Sequence, residues 1–317
     1  MGAPGTPRLS PLGLGCAPIG NLFRAVDDDT AAATVRAAYD AGMRFFDTAP
    51  HYGLGLSERR LGAALAGLPR DSYAVSTKVG RLLVPTDRGG TDQADGFAVP
   101  ATHRRVWDFS RDGVRRSLDE SLDRLGLDRV DVLLIHDPDD HLRQALDDAF
   151  PALAELRAAG VVRAIGVGTN SVGVADAFVR DVDPDVVLLA GRYTLLEPDG
   201  AAALLARCRE RGVAVVLAGV FNSGVLAAPD ASARYDYAPA PPRVLARARE
   251  LAEVCAGFGV PLPAAALRFA AAHPVVASVL VGCHTADQVR DNAAHYARPV
   301  PEGLWESLGL PFTARPG

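Results

Sequence analysis

Residues 45–61 read FFDTAPHYGLGLSERRL. An apolar run stops at an acid, Asp47. A tyrosine, Tyr52, follows five positions later, and a glycine-containing bend leads to a helix start at Ser57. The stretch reads as a buried strand, a short loop and a helix, with a carboxylate at the carboxyl end of the strand. The same unit recurs on both sides. Short, apolar, β-branched runs lie at 12–16, 44–48, 73–78, 130–136, 162–168, 186–190, 213–217 and 278–281. Between them are helical patterns rich in Ala, Leu, Arg and Glu, among them 30–41, 113–125, 142–159, 200–211 and 285–295. Gly42, Gly126, Gly160 and Gly212 stand where helix C-caps are expected. Strands alternating with helices imply parallel pairing through right-handed crossovers. Eight such units, with no GxGxxG after an early strand, predict a (β/α)8 TIM barrel as one domain over residues 1–317 rather than a doubly wound sheet.

Two segments break the rhythm, 80–110 and 219–242. Both follow predicted strands, which places them on the carboxyl-end face where barrels build their sites. Connections this long in a compact domain are functional or disordered. The aromatics Phe97, Trp107 and Phe109 in the first predict a lid over a pocket.

The bulk numbers exclude several function classes. The chain has 317 residues, 49% hydrophobic and 22% charged, enough for a large core. A formal charge of −5 gives no support for a nucleic-acid or anionic-membrane surface. No run of 18 apolar residues exists to span a bilayer, and the opening MGAPGTPRLSPLG lacks a hydrophobic signal core. Its Met-Gly start fits a myristoylation signal poorly. Cys16, Cys208, Cys255 and Cys283 are far apart, with no CxxC. They read as free thiols in a reducing, cytoplasmic compartment, with no metal site.

Asp47, Lys78 and His136 each fall at the end of a predicted strand, and Tyr52 in the loop just after Asp47. Singly, each has a structural reading: an acid caps a turn, a lysine or tyrosine faces solvent, a histidine is a satisfied core group. In a barrel, successive strand ends converge on one mouth, and four ionisable groups of four types would meet there. Together they suit proton transfer coupled to hydride transfer. A tyrosine, with an ordinary pKa near 10, is a possible acid at neutral pH, and an ammonium beside it lowers that value. Asp47 would pair with Lys78 and offset its buried charge. His136 would hydrogen-bond and orient the reacting oxygen. The hydride itself needs a nicotinamide cofactor, because no side chain supplies one.

The chain here resembles the aldo-keto reductase superfamily. The resemblance is carried by FDTAPHYGLGLSERRLG (46–62), STKVG (76–80), RSLDESLDRLGLDRVDVLLIHDPD (116–139), VVRAIGVGTN (161–170) and SVLVGCHTADQVRDN (278–292). It implies a barrel that binds NAD(P)H without a separate dinucleotide domain, and places the catalytic tetrad on Asp47, Tyr52, Lys78 and His136. It also implies cofactor contacts from Gly15 and Cys16 in LGLGC and from Asn170 in GVGTN. In AGRY, Ala190 stands where the family has glutamine, and Tyr193 follows. The implied pyrophosphate loop is Val220, Phe221, Asn222, Ser223 and Gly224. Around the last strand, NADP-preferring relatives carry Lys or Arg. This chain offers Gly282, His284, Thr285 and Gln288, with Arg290 at a position the family does not use and Asp291 and Asn292 beside it. Without a fixed cation, a 2′-phosphate loses its charge-assisted bonds, so NAD is expected, with NADP possible.

The insert after STKVGRLL, the string IHDPDD and the FNSG loop look most like the sugar dehydrogenase branch. That branch includes L-fucose (D-threo-aldose 1-) dehydrogenase and L-galactose dehydrogenase, with pyridoxal 4-dehydrogenase nearby. The resemblance implies oxidation of an aldose at C1 to its lactone. Loop position nominates His51, Trp107 and Asp137 beside Tyr52 and His136 as substrate contacts, with His103 and Tyr235 further out. The expected partner is a small sugar or carbonyl compound, not nucleic acid or membrane. Three other readings share parts of this pattern. A metal hydrolase would use HDPDDH (136–141), but strand-end HxH pairs are absent. A non-catalytic nicotinamide-binding subunit would not need a complete tetrad. An NADPH-dependent aldehyde or ketone reductase shares every catalytic residue and differs in cofactor and substrate.

Overall fold

The computed structural model describes residues 9–310; the Met-Gly start lies outside them. Eight strands form the centre: β1 (Leu12–Gly15), β2 (Phe45–Asp47), β3 (Ala74–Val79), β4 (Val132–His136), β5 (Ala164–Thr169), β6 (Val186–Ala190), β7 (Ala214–Ala218) and β8 (Val276–Gly282). They close in the order β1-β8-β7-β6-β5-β4-β3-β2, each pair parallel. The fold is the (β/α)8 barrel that the alternation predicts.

The strand period of two decides which side chains enter the barrel. Phe45, Ala74, Val132, Leu134, Ala164, Val186, Leu188, Val216 and Leu280 pack together inside it. Stepping by two from that layer toward the carboxyl ends gives Asp47 on β2, Ser76 and Lys78 on β3, and His136 on β4. The register keeps these positions together: Gly15 pairs with Asp47, Asp47 with Ser76, and His136 with Gly168. The mouth is therefore where apolar filling gives way to ionisable groups. Gly168 makes the space for one of them, since a Cβ there would stand 3.2 Å from Cε of Lys78. The alternate residues, such as Phe46, Val75, Leu133, Ile135 and Val167, face outward and pack under the helices.

The helices begin and end where local chemistry directs. Asp27 accepts from Thr30 N at the start of α1 (Asp28–Asp40). α2 (Leu56–Leu65) follows the β2 loop. Ser110 accepts from Gly113 N to start α3 (Arg111–Leu125), which Gly126 ends in the left-handed conformation. The predicted helix 142–159 is one helical run interrupted by a π turn at Ala145–Ala149. Among the described residues no single helix is long and apolar enough to cross a membrane.

Both inserts are ordered pieces of backbone. Within 80–110, Arg81–Pro85 pairs antiparallel with His103–Trp107. The loop between them returns to the barrel through a bridge from Phe97 to Leu22. Leu54, Leu83, Phe97 and Val99 form a small core of their own that ties this hairpin to the β2–α2 loop. Within 219–242, a turn at Asn222–Gly224 precedes a pair of two-residue strands, Arg234–Tyr235 and Ala238–Pro239.

Candidate active site

Lys78 organises the mouth. Its ammonium donates to Asp47 Oδ2 at 2.7 Å, to the Thr48 carbonyl at 2.9 Å and to the Tyr52 hydroxyl at 3.1 Å. That uses all three of its N–H donors. Ser76 Oγ donates to the other Asp47 oxygen at 2.7 Å. Lys78 is 1% exposed and Asp47 3%, so each charge is compensated where water is excluded. Burial pushes the Lys78 ammonium down, but the Asp47 carboxylate and the Tyr52 oxygen outweigh it, and the pKa ends above the ordinary lysine value.

Tyr52 corrects one expectation. Lys78 does pull its pKa down, as the sequence suggested, yet burial pushes harder in the other direction. The net shift is upward, and the phenol is held as an acid. Its ring stacks on Phe97, with centroids 6.1 Å apart, and meets the edge of His136 at 5.8 Å. His136 is kept neutral, first by burial and then by the charges of Arg81 and Lys78. Among the described residues its Nδ1 is buried without a partner, and Nε2 lies 3.5 Å from Asp137 Oδ2, too far for a good hydrogen bond. Nε2 therefore keeps its hydrogen-bonding capacity for a ligand.

These groups open into a cavity of about 860 Å³, toward the upper end of the range for ligand pockets. It runs from Asp47, His51, Tyr52, Lys78, His136 and Asp137 past Gly15 and Asn170. It continues along Val220, Phe221, Ser223 and Gly224 to Gly282, His284, Gln288, Asp291 and Asn292. Most residues nominated from the sequence thus share one wall.

Several nominated residues do not line it. Cys16 is buried behind the wall, its thiol directed at the Leu14 carbonyl. Tyr193 stacks on Phe269 with ring centroids 4.9 Å apart, and fills the space beneath the outer helices. Asn222 turns back to donate to the Gly191 carbonyl. Trp107 is 45% exposed and covers the Arg81 guanidinium at 4.6 Å. His103 bonds Thr102, and the Tyr235 hydroxyl bonds Glu197. In each case a local partner claims the side chain. Thr285 caps the helix Ala286–Ala297, and Arg290 is engaged with Asp287.

Phe97, one of the aromatics expected to form a lid, roofs Tyr52 from the first insert. The wall also holds two residues that the sequence did not single out. Tyr237 and Arg234, from the second insert, reach across to Phe23 after β1: the two rings are 6.3 Å apart, and the guanidinium lies 4.8 Å from the Phe23 ring. Tyr237 and Tyr235 are neighbours in a short hairpin, and only the hairpin's geometry shows which one faces the cavity.

A model of the aldo/keto reductase family matches residues 11–308. The chain belongs to that family. Relatives match along most of their length. A D-threo-aldose 1-dehydrogenase from Pseudomonas sp. is 49% identical over 303 residues, covering 94% of this chain and 92% of the relative. A pyridoxal 4-dehydrogenase from Microbacterium luteolum is 38% identical, covering 95% and 93%. An L-galactose dehydrogenase from Arabidopsis thaliana is 34% identical, covering 96% and 87%. The solved aldo-keto reductase AKR11C1 from Bacillus halodurans in its holo form superposes with a TM-score of 0.75 at 24% identity, covering 95% of this chain and 91% of that one. At that identity it speaks for the fold alone. The chain is an oxidoreductase of this family, whose members use nicotinamide cofactors.

The cavity fits such a cofactor. It extends from the tetrad to Asp291 and Asn292, beyond the end of β8. Gly224, at φ +114°, has no atom within 4 Å of where a Cβ would stand, so the loop leaves open space beside Ser223 and Phe221. Asn170, Ser223, Gln288 and Asn292 offer amide and hydroxyl groups along the way.

Proposed function

We propose that this aldo/keto reductase oxidises an aldose of the D-threo type at C1 to its lactone, using NAD. The observation that carries this reading is the Lys78 ammonium, bonded at once to Asp47 and to the Tyr52 hydroxyl at the base of the cavity. The 49% and 34% identities to two aldose dehydrogenases support the substrate class. Asn170, Ser223 and Gln288 would hold a nicotinamide dinucleotide along the cavity wall, and that group would supply the hydride acceptor. Tyr52, protonated at rest because burial outweighs Lys78, first loses its proton to solvent; the Lys78 ammonium bonded to it stabilises the resulting phenolate, which takes the proton of the anomeric hydroxyl. Asp47 keeps Lys78 charged and aimed. Neutral His136 hydrogen-bonds the reacting oxygen and fixes its direction. Asp137, held by Arg81, accepts from a neighbouring hydroxyl. We read residues 1–317 as one barrel domain, and the four buried free cysteines suit a reducing cytoplasm.

NAD rather than NADP follows from the groups at the far end of the cavity. The His284 ring is tied to the Leu22 carbonyl at 2.8 Å, and Gln288 accepts from the His284 backbone N–H at 2.7 Å. Burial lowers the His284 pKa, so it offers no positive charge at neutral pH. Asp291 presents a carboxylate that would accept from a ribose hydroxyl and repel a phosphate. Gln288→Arg is expected to shift the NADP/NAD ratio of kcat/KM upward by about tenfold or more, since a charge-assisted bond to phosphate is worth roughly 1.5–3 kcal/mol. An unchanged ratio would remove this reading of the loop.

A second reading, oxidation of pyridoxal, rests on the 38% identical relative. A spectrophotometric panel at ~340 nm, the absorbance of reduced nicotinamide, separates the two. L-fucose, D-arabinose, L-galactose, L-xylose, pyridoxal and simple alcohols are offered with NAD or NADP. NADH formed from one aldose group supports the proposal. Silence on every sugar, with NADPH consumed by aldehydes or ketones, would make the protein a carbonyl reductase instead.

A further inference from the structure

Beside the tetrad stands a histidine whose ring nitrogen is claimed by an arginine. Arg105, on the strand His103–Trp107 of the first insert, donates from Nε to His51 Nδ1. Its other four N–H groups are also placed. Nη1 reaches Asp92 Oδ1 at 2.7 Å and Asp95 Oδ2 at 2.8 Å. Nη2 reaches Asp92 Oδ2 at 2.6 Å and the His51 carbonyl at 3.1 Å. All five donors of the guanidinium are used, and the side chain is 9% exposed. A guanidinium stays protonated and only donates. The Nδ1 facing it must therefore be the bare, accepting nitrogen. The proton of a neutral imidazole then sits on Nε2. A second proton on Nδ1 would set N–H against N–H.

We infer that Arg105 locks His51 as a neutral Nε2–H donor that binds a hydroxyl of the substrate next to the reacting carbon. The substrate half of this inference rests on the function proposed above; the tautomer half does not. His51 lines the cavity, its ring centroid 5.6 Å from that of His136 and 6.0 Å from that of Tyr52. Asp137, which follows His136, lines the same cavity as an acceptor held by Arg81. A fixed donor and a fixed acceptor around one reacting centre suit neighbouring hydroxyls, each of which both donates and accepts. A simple aldehyde has nothing to offer to either group. Arg105 is then a positioning residue, and the insert that carries it contributes to polyol selectivity.

The charged and titratable neighbours of His51 all favour its neutral form or leave it unopposed. Arg105 and Arg81 face it from the two strands of the hairpin, Lys78 from the end of β3, neutral His136 from β4 and the Tyr52 phenol from its own loop. Asp92 and Asp95 lie behind Arg105 and are spent on it. Burial first, then Arg81, Arg105 and Lys78, hold the His51 pKa well below the usual histidine value. Among the described residues, the charges that act on the ring are all positive.

The test is long-range ¹H–¹⁵N NMR on full-length protein carrying ¹⁵N-histidine, with the His51 signals identified by their loss in His51→Asn. In the wild type, His51 is expected to remain a single Nε2–H tautomer from about pH 5 to pH 8, across the ordinary histidine range near 6.5. In Arg105→Lys, which keeps a cation for Asp92 but loses the Nε donor, His51 is expected to stay neutral through burial and Arg81 but to populate the Nδ1–H tautomer as well. A wild-type His51 that titrates near 6.5, or that carries its proton on Nδ1, would overturn the lock whether or not the variant folds. Kinetics test the donor role. His51→Leu is expected to lower kcat/KM for a hydroxylated substrate by about 10–100-fold, the usual consequence of an unmet polar group. Reduction of a simple aldehyde should fall by a clearly smaller factor than turnover of the hydroxylated substrate, and His51→Asn, which retains an N–H, should recover much of the loss. Equal losses on both substrates would refute the hydroxyl contact. If no aldose is oxidised at all, the proposed function fails, while the NMR result still decides the lock.

Discussion

Tyr52→Phe is expected to lower turnover by about 10²–10⁴-fold, the range set by removing a positioned acid–base group, while leaving cofactor affinity nearly unchanged. The change takes away one oxygen. The ring keeps its stack on Phe97 and its edge contact with His136. Lys78 loses one acceptor but retains Asp47 and the Thr48 carbonyl. The cavity wall along Asn170, Ser223 and Gln288 is untouched. Loss of kcat without loss of cofactor binding, read by single-turnover kinetics and by calorimetric titration with NAD, is therefore the signature of a proton relay. Turnover close to wild type would remove Tyr52 from the chemistry.

Lys78→Met carries the second large effect, and it falls on stability as well as on rate. Asp47 would be left buried with Ser76 as its remaining side-chain partner. Breaking a buried ion pair from one side costs about 3–5 kcal/mol. Denaturant unfolding should show that loss as a lower midpoint at unchanged m-value. The double variant Asp47→Asn, Lys78→Met should regain part of it, because no unpaired charge remains, yet stay inactive. Additive losses in the double variant would mean that the two residues do not act as a pair. The pH dependence has a definite sign. The Lys78 pKa is raised in the fold, so its contribution is complete below the unfolded lysine value near 10.4 and is lost only as pH rises beyond it. Between about pH 6 and pH 9, in that ordinary lysine plateau, this pair should add no slope to the stability curve.

The barrel was legible because its strands are apolar and β-branched on both faces, as fully covered parallel strands must be. Counting by two along 44–48, 73–78 and 130–136 brings Asp47, Lys78 and His136 to one rim, and the register closes the distance to 2.7 Å between the first two. The inserts were not legible in the same way. HRRVW carries two adjacent arginines, and nothing in the string says that Arg105 turns toward Asp92 and His51 while Arg104 is exposed. Of the insert aromatics expected to form a lid, Phe97 stacks over Tyr52, whereas Trp107 covers Arg81. Phe97 and Tyr237 took the places over the cavity because a bridge to Leu22 and a two-residue hairpin aim them there. Those are long-range backbone facts with no periodic signature. The Tyr52 pKa shows the same limit in electrostatics. The sign of the Lys78 effect follows from charge alone, whereas its size against desolvation depends on burial, which only the packed fold supplies.

The most direct measurement uses an aldose deuterated at C1. L-galactose or L-fucose bearing that label is incubated with the protein and NAD, and the reduced cofactor is examined by mass spectrometry. The expected result is NADH carrying one deuterium, with the lactone as co-product, since the proposed reaction moves hydride from C1 while Tyr52 takes the hydroxyl proton. Unlabelled NADH would place the oxidation at another carbon. No NADH from any aldose would contradict the assignment of this site to aldose oxidation.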